Sequence, residues 1–243
     1  ALDDPNIGEV VTMKAAQVGW TMALIAYLGR NMSTSPCAIV VMFPKDGAGR
    51  EFNDEKLEPS IRATPALRRL INVNKSRSSN NRAMFKKFAG GFLKLVGSGS
   101  PSSVKSTPAK IVIVEEPDDA VDNLKQQGNA ITMLWERTKR IRGSKRILGG
   151  TPSVDGLSKV QEHLNTSDKR VLPITCNDCG SGHVLGFDNV SWLQADEGEK
   201  EHEVYGLSLP DSSVYTCPHC GSAWDDYQRK ENIRNTVDKA EAA

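Results

Sequence analysis

The 243-residue sequence has little of three things, and each shortage narrows what it can be. No apolar run approaches the roughly 20 residues that span a bilayer. The longest, such as Thr21–Leu28 and Ile111–Val114, are far shorter, and Ala1–Val10 carries no signal-peptide pattern, so the expectation is a soluble chain with no membrane partner. Net charge is nearly absent, with 31 Lys and Arg against 30 Asp and Glu. Any contact with nucleic acid must therefore come from a local patch and not from a global basic field. Cysteine is sparse too: four of the five fall in two Cys-x-x-Cys pairs late in the chain, which favours a metal over disulfides. Cys37, alone in an apolar segment, reads as a small buried hydrophobe. What is present, 38% hydrophobic and 25% charged residues, suffices for one sizeable core and a smaller second one, so two domains are expected.

Periodicity sets out the first of these. Glu9–Met13 reads as a short buried strand, followed by a small loop and a helix over Thr21–Arg30. Ala38–Phe43 is a continuous apolar run ended by Pro44, as in a strand buried on both faces. A helical stretch from Gly49 to Ile71, interrupted around Pro59 and Pro65, comes next. Gly91–Val96 alternates, Lys110–Val114 is the strongest strand, and Arg146–Leu148 is a further one closed by Gly149 and Gly150. Gly97–Ser103, rich in Gly and Ser, reads as a mobile connector. Strands alternating with helices predict an α/β fold, a mostly parallel sheet with flanking helices, whose ligands sit at the carboxyl ends of the strands. The loops after Met13, Val114 and Leu148 are therefore the places to look.

The first loop, Lys14-Ala-Ala-Gln-Val-Gly-Trp-Thr21, fits the phosphate-binding pattern G-x-x-x-x-G-K-[ST] only in part. Gly19 and Thr21 are in register, but Lys14 stands at the first Gly and Trp20 at the usual Lys. Phosphate binding needs backbone N–H groups facing the ligand, here from Gln17, Val18, Gly19 and Trp20, a hydroxyl for Mg²⁺, here Thr21, and an ammonium, which Lys14 could supply from the mouth of the loop. An ordinary strand-to-helix turn with a solvated Lys would read the same way. In the second loop, Glu115 and Glu116 close a hydrophobic strand. The first acid of such a pair helps to hold Mg²⁺ and the second polarises an attacking water, making Glu116 the candidate general base; a surface acidic cluster with Asp118 and Asp119 is the alternative. The third, Gly149-Gly-Thr-Pro-Ser153, places the Thr151 hydroxyl where it could meet a terminal phosphate or the water.

From about Val171 the composition changes to short strand-like pieces around Cys176-Asn-Asp-Cys179 and Cys217-Pro-His-Cys220, with 37 residues between the pairs, each followed by Gly (Gly180, Gly221). Two such knuckles deliver Cys176, Cys179, Cys217 and Cys220 to Zn²⁺ and leave no open coordination position, so the metal is expected to be structural and the module a small zinc-ribbon β domain. His183 and His219 read as bystanders, Trp192 and Trp224 as packing of the small core. A polar helix follows from about Tyr227 to Ala243. The basic run Lys139–Arg146 could meet DNA phosphates, but a solvated helix end is the plainer reading.

Taken in order, Lys14–Thr21, Phe43-Pro-Lys-Asp-Gly47, Glu58-Pro-Ser-Ile-Arg62, Glu115-Glu116, Gly149-Gly-Thr-Pro152 and the paired cysteines closely resemble the phage terminase large subunit of the lambda type, over nearly the whole chain. The unusual Lys-first loop becomes its most specific feature. The resemblance implies an ASCE-type P-loop NTPase fold, ATP with Mg²⁺, and coupling of hydrolysis to translocation of double-stranded DNA into a capsid. It also implies a small terminase subunit and the portal or procapsid as partners, a homo-oligomeric ring, and the host cytoplasm as location. The expected layout is a P-loop ATPase domain over 1–165 with its adenine-contacting N-terminal part missing, a Cys₄ zinc ribbon over 166–228, a helix or tail over 229–243, and no nuclease domain, as in a fragment or processed form. An arginine could complete the site, from Arg50, Arg62, Arg82, Arg140 or Arg142. A reading from another class treats the fold as a scaffold for a non-catalytic DNA- or portal-binding assembly module; a helicase-like ATPase outside packaging is a third.

Overall fold

The computed structural model describes residues 1–71, 81–105, 107–126, 128–196, 198 and 201–242. It divides into two compact units, Ala1–Lys169 and Arg170–Ala243. No helix among the described residues is long and apolar enough to cross a membrane.

The first unit runs β1 (Glu9–Met13), α1 (Trp20–Thr34), β2 (Ala38–Phe43), α2 (Asp46–Glu51), a π-helical turn (Phe52–Leu57), α3 (Glu58–Ala63), α4 (Pro65–Leu70), β3 (Asn81–Arg82), β4 (Phe85–Phe88), β5 (Gly91–Gly97), α5 (Pro101–Lys105), β6 (Ile111–Glu115), α6 (Ala130–Trp135), β7 (Lys145–Gly150) and α7 (Lys159–Asn165). The strands form one sheet in the order β1-β7-β6-β2-β5-β4-β3. The five from β1 to β5 are parallel, and β4 and β3 extend it antiparallel. The fold is thus α/β on a mostly parallel sheet.

Period-2 alternation explains the continuous apolar strands. In β2, Ile39, Val41 and Phe43 enter one core with Leu24 and Leu28 of α1 and Ile61 of α3. Val40 and Met42 enter the other with Leu134 of α6 and Val160 of α7. Each face needs an apolar residue at every second position, so a centrally placed strand has no polar face. This puts helices on both faces of the sheet and leaves its strand ends open to a ligand.

Several boundaries differ from the sequence expectation. Gly149 and Gly150 do not close β7 but belong to it, paired with Thr12 and Met13. Pro59 does not interrupt the helical stretch, which runs on from the π-helical turn into α3 with Leu57 and Glu58 both helical; Thr64 is the break, extended before Pro65. Within the Gly/Ser-rich connector, Pro101 starts α5. Nor is the basic run simply solvated. Lys145 is buried, its ammonium donating to the carbonyls of Asp4 and Ile7 at 2.6 and 2.5 Å, and Arg146 donates to Thr138 at 3.0 Å.

The second unit runs β8 (Ile174–Thr175), β9 (Gly182–His183), β10 (Val190–Gln194), β11 (Ser208–Thr216), β12 (Ala223–Trp224) and α8 (Asp226–Ala242). β8 and β9 form a two-stranded ribbon, and β10, β11 and β12 an antiparallel sheet. α8 is built into this unit and is not a separate tail: Thr236 accepts a hydrogen bond from the Thr175 amide at 2.9 Å and Asn232 one from the Asn177 amide at 2.8 Å.

Candidate functional site

The loop after β1 is fixed at its mouth by the Lys14 amide, which donates to the Gly150 carbonyl at 3.1 Å, continuing the β1–β7 pairing by one residue. Gln17 (φ 59°) and Gly19 (φ 82°) then take left-handed conformations that turn the chain sharply into α1. At Gly19 this costs little for want of a Cβ; Gln17 bears strain. α1 starts with no side-chain cap and no acid in its first turn, so its first amides are left for another acceptor. The Gln17 and Val18 side chains are exposed, leaving their backbone as what they offer the loop.

Three loops converge here. The Lys14 ammonium, nearly buried, donates to Glu116 Oε1 at 2.9 Å and to Thr151 Oγ1 at 3.3 Å. The other Glu116 oxygen accepts the Thr151 amide at 2.9 Å. Residues 102 and 137 positions from Lys14 are thereby brought to one point, because β1, β7 and β6 are neighbours whose carboxyl ends align. Glu116 holds a left-handed backbone (φ 48°, ψ 65°), strained for a residue with a Cβ. Its amide donates to Gly149 and its carboxylate is held from two sides, which is what fixes the conformation.

Glu115 ends β6 and is buried. Burial pushes its carboxyl up to about 7, against the opposing effect of a hydrogen bond from the Trp20 indole at 2.7 Å. Thr21, Glu115 and Glu116 line one open cleft of about 850 Å³, joined by Lys45 and Lys56. The arrangement gathers two carboxylates, a hydroxyl, an ammonium and uncapped helix amides: groups for anion binding, for cation binding and for accepting a proton.

The structure therefore brings together Lys14, Glu116 and Thr151, and in the same cleft Thr21 with Glu115. Four contributors escaped the sequence reading. The Trp20 side chain, treated there as a source of backbone N–H only, bonds Glu115; its position at the usual lysine was the available signal. Lys45 lay within Phe43-Pro-Lys-Asp-Gly47, quoted for the resemblance but given no role, and Lys56 gave no signal beyond its charge. Asp118, named from the sequence only as part of the alternative surface acidic cluster, accepts the Ser153 amide and hydroxyl (2.8 and 2.6 Å) and the Val160 amide (3.0 Å). Partial burial raises its carboxyl, but those hydrogen bonds outweigh it and bring it to about 2. Asp118 thus ties the Thr151 loop to α7. Of the arginines, Arg62 pairs with Glu58 at 2.7 Å and Arg82 lies over the Phe85 ring.

The second unit holds the other cluster. The ligand atoms of Cys176, Cys179, Cys217 and Cys220 lie within 4.8 Å of one another. The two knuckles repeat one hydrogen-bond pattern: the Cys176 amide donates to Ser181 and the Gly180 amide to Cys176, while the Cys217 amide donates to Ser222 and the Gly221 amide to Cys217. Both glycines are left-handed (φ 73° and 74°), which lets each turn close under its pair of thiols. His183 and His219 stand outside this group of four; His183 stacks on Tyr215 with ring centroids 5.8 Å apart. Trp224 is buried with Tyr215, Cys176 and Cys217. Trp192 does not pack there: it is exposed, against Phe187.

An open, mostly parallel α/β sheet with its polar side chains at the carboxyl ends of β1, β6 and β7 defines a ligand-binding α/β protein of the strand-end class. Residues 1–237 match the family described as phage terminase large subunit gpA, ATPase domain, and the chain belongs to that family. It is 28% identical over 232 residues to the terminase large subunit of Escherichia phage lambda, covering 90% of this chain and 33% of that protein. It is also 26% identical over 223 residues to the terminase large subunit of Enterobacteria phage P21, covering 88% of this chain and 33% of that protein. The chain thus spans about a third of the length of these curated relatives. Among solved structures, the large terminase ATPase domain of Thermus phage P74-26 is similar at 16% identity and TM-score 0.45, covering 72% of this chain and 71% of that one.

Proposed function

We propose that the first unit is the ATP-hydrolysing part of a viral DNA-packaging motor, a P-loop ATPase of the ASCE type. The observation that carries this reading is the meeting of Lys14, Glu116 and Thr151 at aligned strand ends, beside a helix whose first amides are uncapped. The amides of Gln17 to Trp20 and the Lys14 ammonium bind phosphate oxygens. The Thr21 hydroxyl and the Glu115 carboxylate are the oxygen ligands that suit Mg²⁺, a hard cation that offsets phosphate charge when bound. Glu116 accepts a proton from the water that attacks the terminal phosphorus, as the bond to the ADP oxygen breaks and phosphate leaves. For this, Lys14 must exchange its contact with Glu116 for one with phosphate, which frees the base only when nucleotide is present. Thr151, bonded through its amide to Glu116, reports that exchange to the loop held by Asp118.

In the second unit, a tetrahedral Zn–S₄ site has sulfur atoms about 3.8 Å apart. The observed 3.9 Å between Cys176 and Cys220 and 4.0 Å between Cys179 and Cys217 support Zn²⁺ held by all four cysteines as a structural ion, in a small zinc ribbon. The layout proposed is an ATPase domain over roughly 1–165 and the ribbon over 166–228 with its C-terminal helix. Double-stranded DNA, a small terminase subunit, the portal or procapsid and further copies in a ring are the partners that the family suggests, in the host cytoplasm.

ATP turnover with Mg²⁺, measured over a range of protein concentrations with and without double-stranded DNA, tests the reading. Turnover that is lost in Lys14→Ala is the expected outcome. No turnover by the unaltered chain at any concentration would replace the motor by a DNA- or portal-binding module.

A further inference from the structure

The lysine expected at the seventh position of the phosphate loop is Trp20, and its side chain is engaged on both its polar and its apolar side. The indole N–H donates to Glu115 Oε1 at 2.7 Å. The ring lies against Gly149 so closely that a Cβ there would come within 2.5 Å of three of its atoms. Glu115 is a glutamate at the end of a strand, one methylene longer than an aspartate and with one more torsion to fix. Its carboxylate is buried and lines the cleft beside Thr21. One oxygen is taken by the indole; the other accepts no hydrogen bond among the described residues.

We propose that Trp20 is a positioning residue for the metal: by holding one Glu115 oxygen and resting on Gly149, it sets the carboxylate so that the other oxygen meets Mg²⁺ together with the Thr21 hydroxyl. This rests on the nucleotide site proposed above and adds to it a residue whose side chain touches neither phosphate nor metal. It accounts for two features together, a tryptophan where a lysine is usual and a glycine opposite it on β7. A lysine there would bring a second ammonium to the loop but no flat surface for Gly149. Partners that orient a metal's ligands commonly contribute 10- to 100-fold to its affinity.

The test uses the full chain, a fluorescent non-hydrolysable ATP analogue and Mg²⁺ titration. Trp20→Phe keeps the ring and removes the donor. The expected result is a Mg²⁺ midpoint raised roughly tenfold or more over that of the unaltered chain. An unchanged midpoint overturns the inference and leaves the nucleotide site standing. Failure of the unaltered chain to bind the analogue with or without Mg²⁺ overturns both. Because the variant could fold poorly, the unaltered chain provides a second readout: of the four tryptophan indole N–H signals in a ¹⁵N spectrum, one is expected to move with Mg²⁺ at the binding midpoint. If none moves, Trp20 does not hold the metal-facing carboxylate.

Discussion

The two units solve opposite problems. The cleft of the first is assembled from residues far apart in the chain, on a sheet whose two faces are each covered by a substantial apolar cluster. The cysteine group of the second is built from two short local turns of the same design, and among the described residues the buried apolar cluster around it is Cys176, Tyr215, Cys217 and Trp224, with Leu185 and Val190 packed against it. In the first unit the core holds the site in place. In the second, two of the four core residues are themselves members of the cysteine group, so the site must hold the core. A sheet of this size can lose a polar contact and stay folded; a core of four residues has no such reserve.

The sharpest way to break the comparison is to test the zinc proposed for the cysteine group. Chelation, or Cys217→Ser, should unfold the second unit while the first keeps its helix and sheet signal, seen as loss of one of two melting transitions together with loss of about one zinc per chain. A metal-free chain with both transitions intact would mean that the small core suffices after all. Next in size is Gly149→Ala, which drives a Cβ into the Trp20 ring and should destabilise the first unit by about 1–3 kcal/mol in denaturant unfolding, with the second unit unmoved. Asp118→Ala removes the three hydrogen bonds that its carboxylate accepts, two from Ser153 in the Thr151 loop and one from Val160 in α7, and should cost about 1–2 kcal/mol, read in the same assay. Its pH dependence has a definite sign. The folded carboxyl sits at about 2, below its ordinary 3.8, so its stabilisation is complete above about pH 4 and fades as pH falls towards 2. The unaltered chain should lose stability over that window more steeply than the Asp118→Ala variant does. The smallest effect is expected from Lys139→Ala, which breaks an exposed pair with Glu136 and should shift stability by less than about 0.5 kcal/mol.

Legibility in the sequence followed the same division. The two cysteine turns could be read almost completely, because the backbone hydrogen bonds that close each turn run between residues within a few positions. The parallel strands of the first unit were equally plain, since burial on both faces demands apolar runs such as Ile39–Phe43. The antiparallel extension by β3 and β4 was not legible: Phe85-Lys-Lys-Phe88 has too little alternation to announce a strand. Lys145 looked like part of a solvated basic run because nothing local shows that backbone carbonyls near the chain's start will surround its ammonium. Trp192 and Trp224 are the same residue type in one unit, and only one is buried.

By itself the sequence determined the α/β alternation, the order of the three strand-end loops and the four-cysteine group, because each depends on local propensity, burial period or short spacing. Only the tertiary structure decided that Lys14 bonds Glu116 and Thr151, that Trp20 reaches Glu115 across Gly149, and that Asp118 ties a loop to α7. Those contacts depend on which strands become neighbours in the sheet, and strand order is settled by packing over the whole unit, not by any short stretch of it.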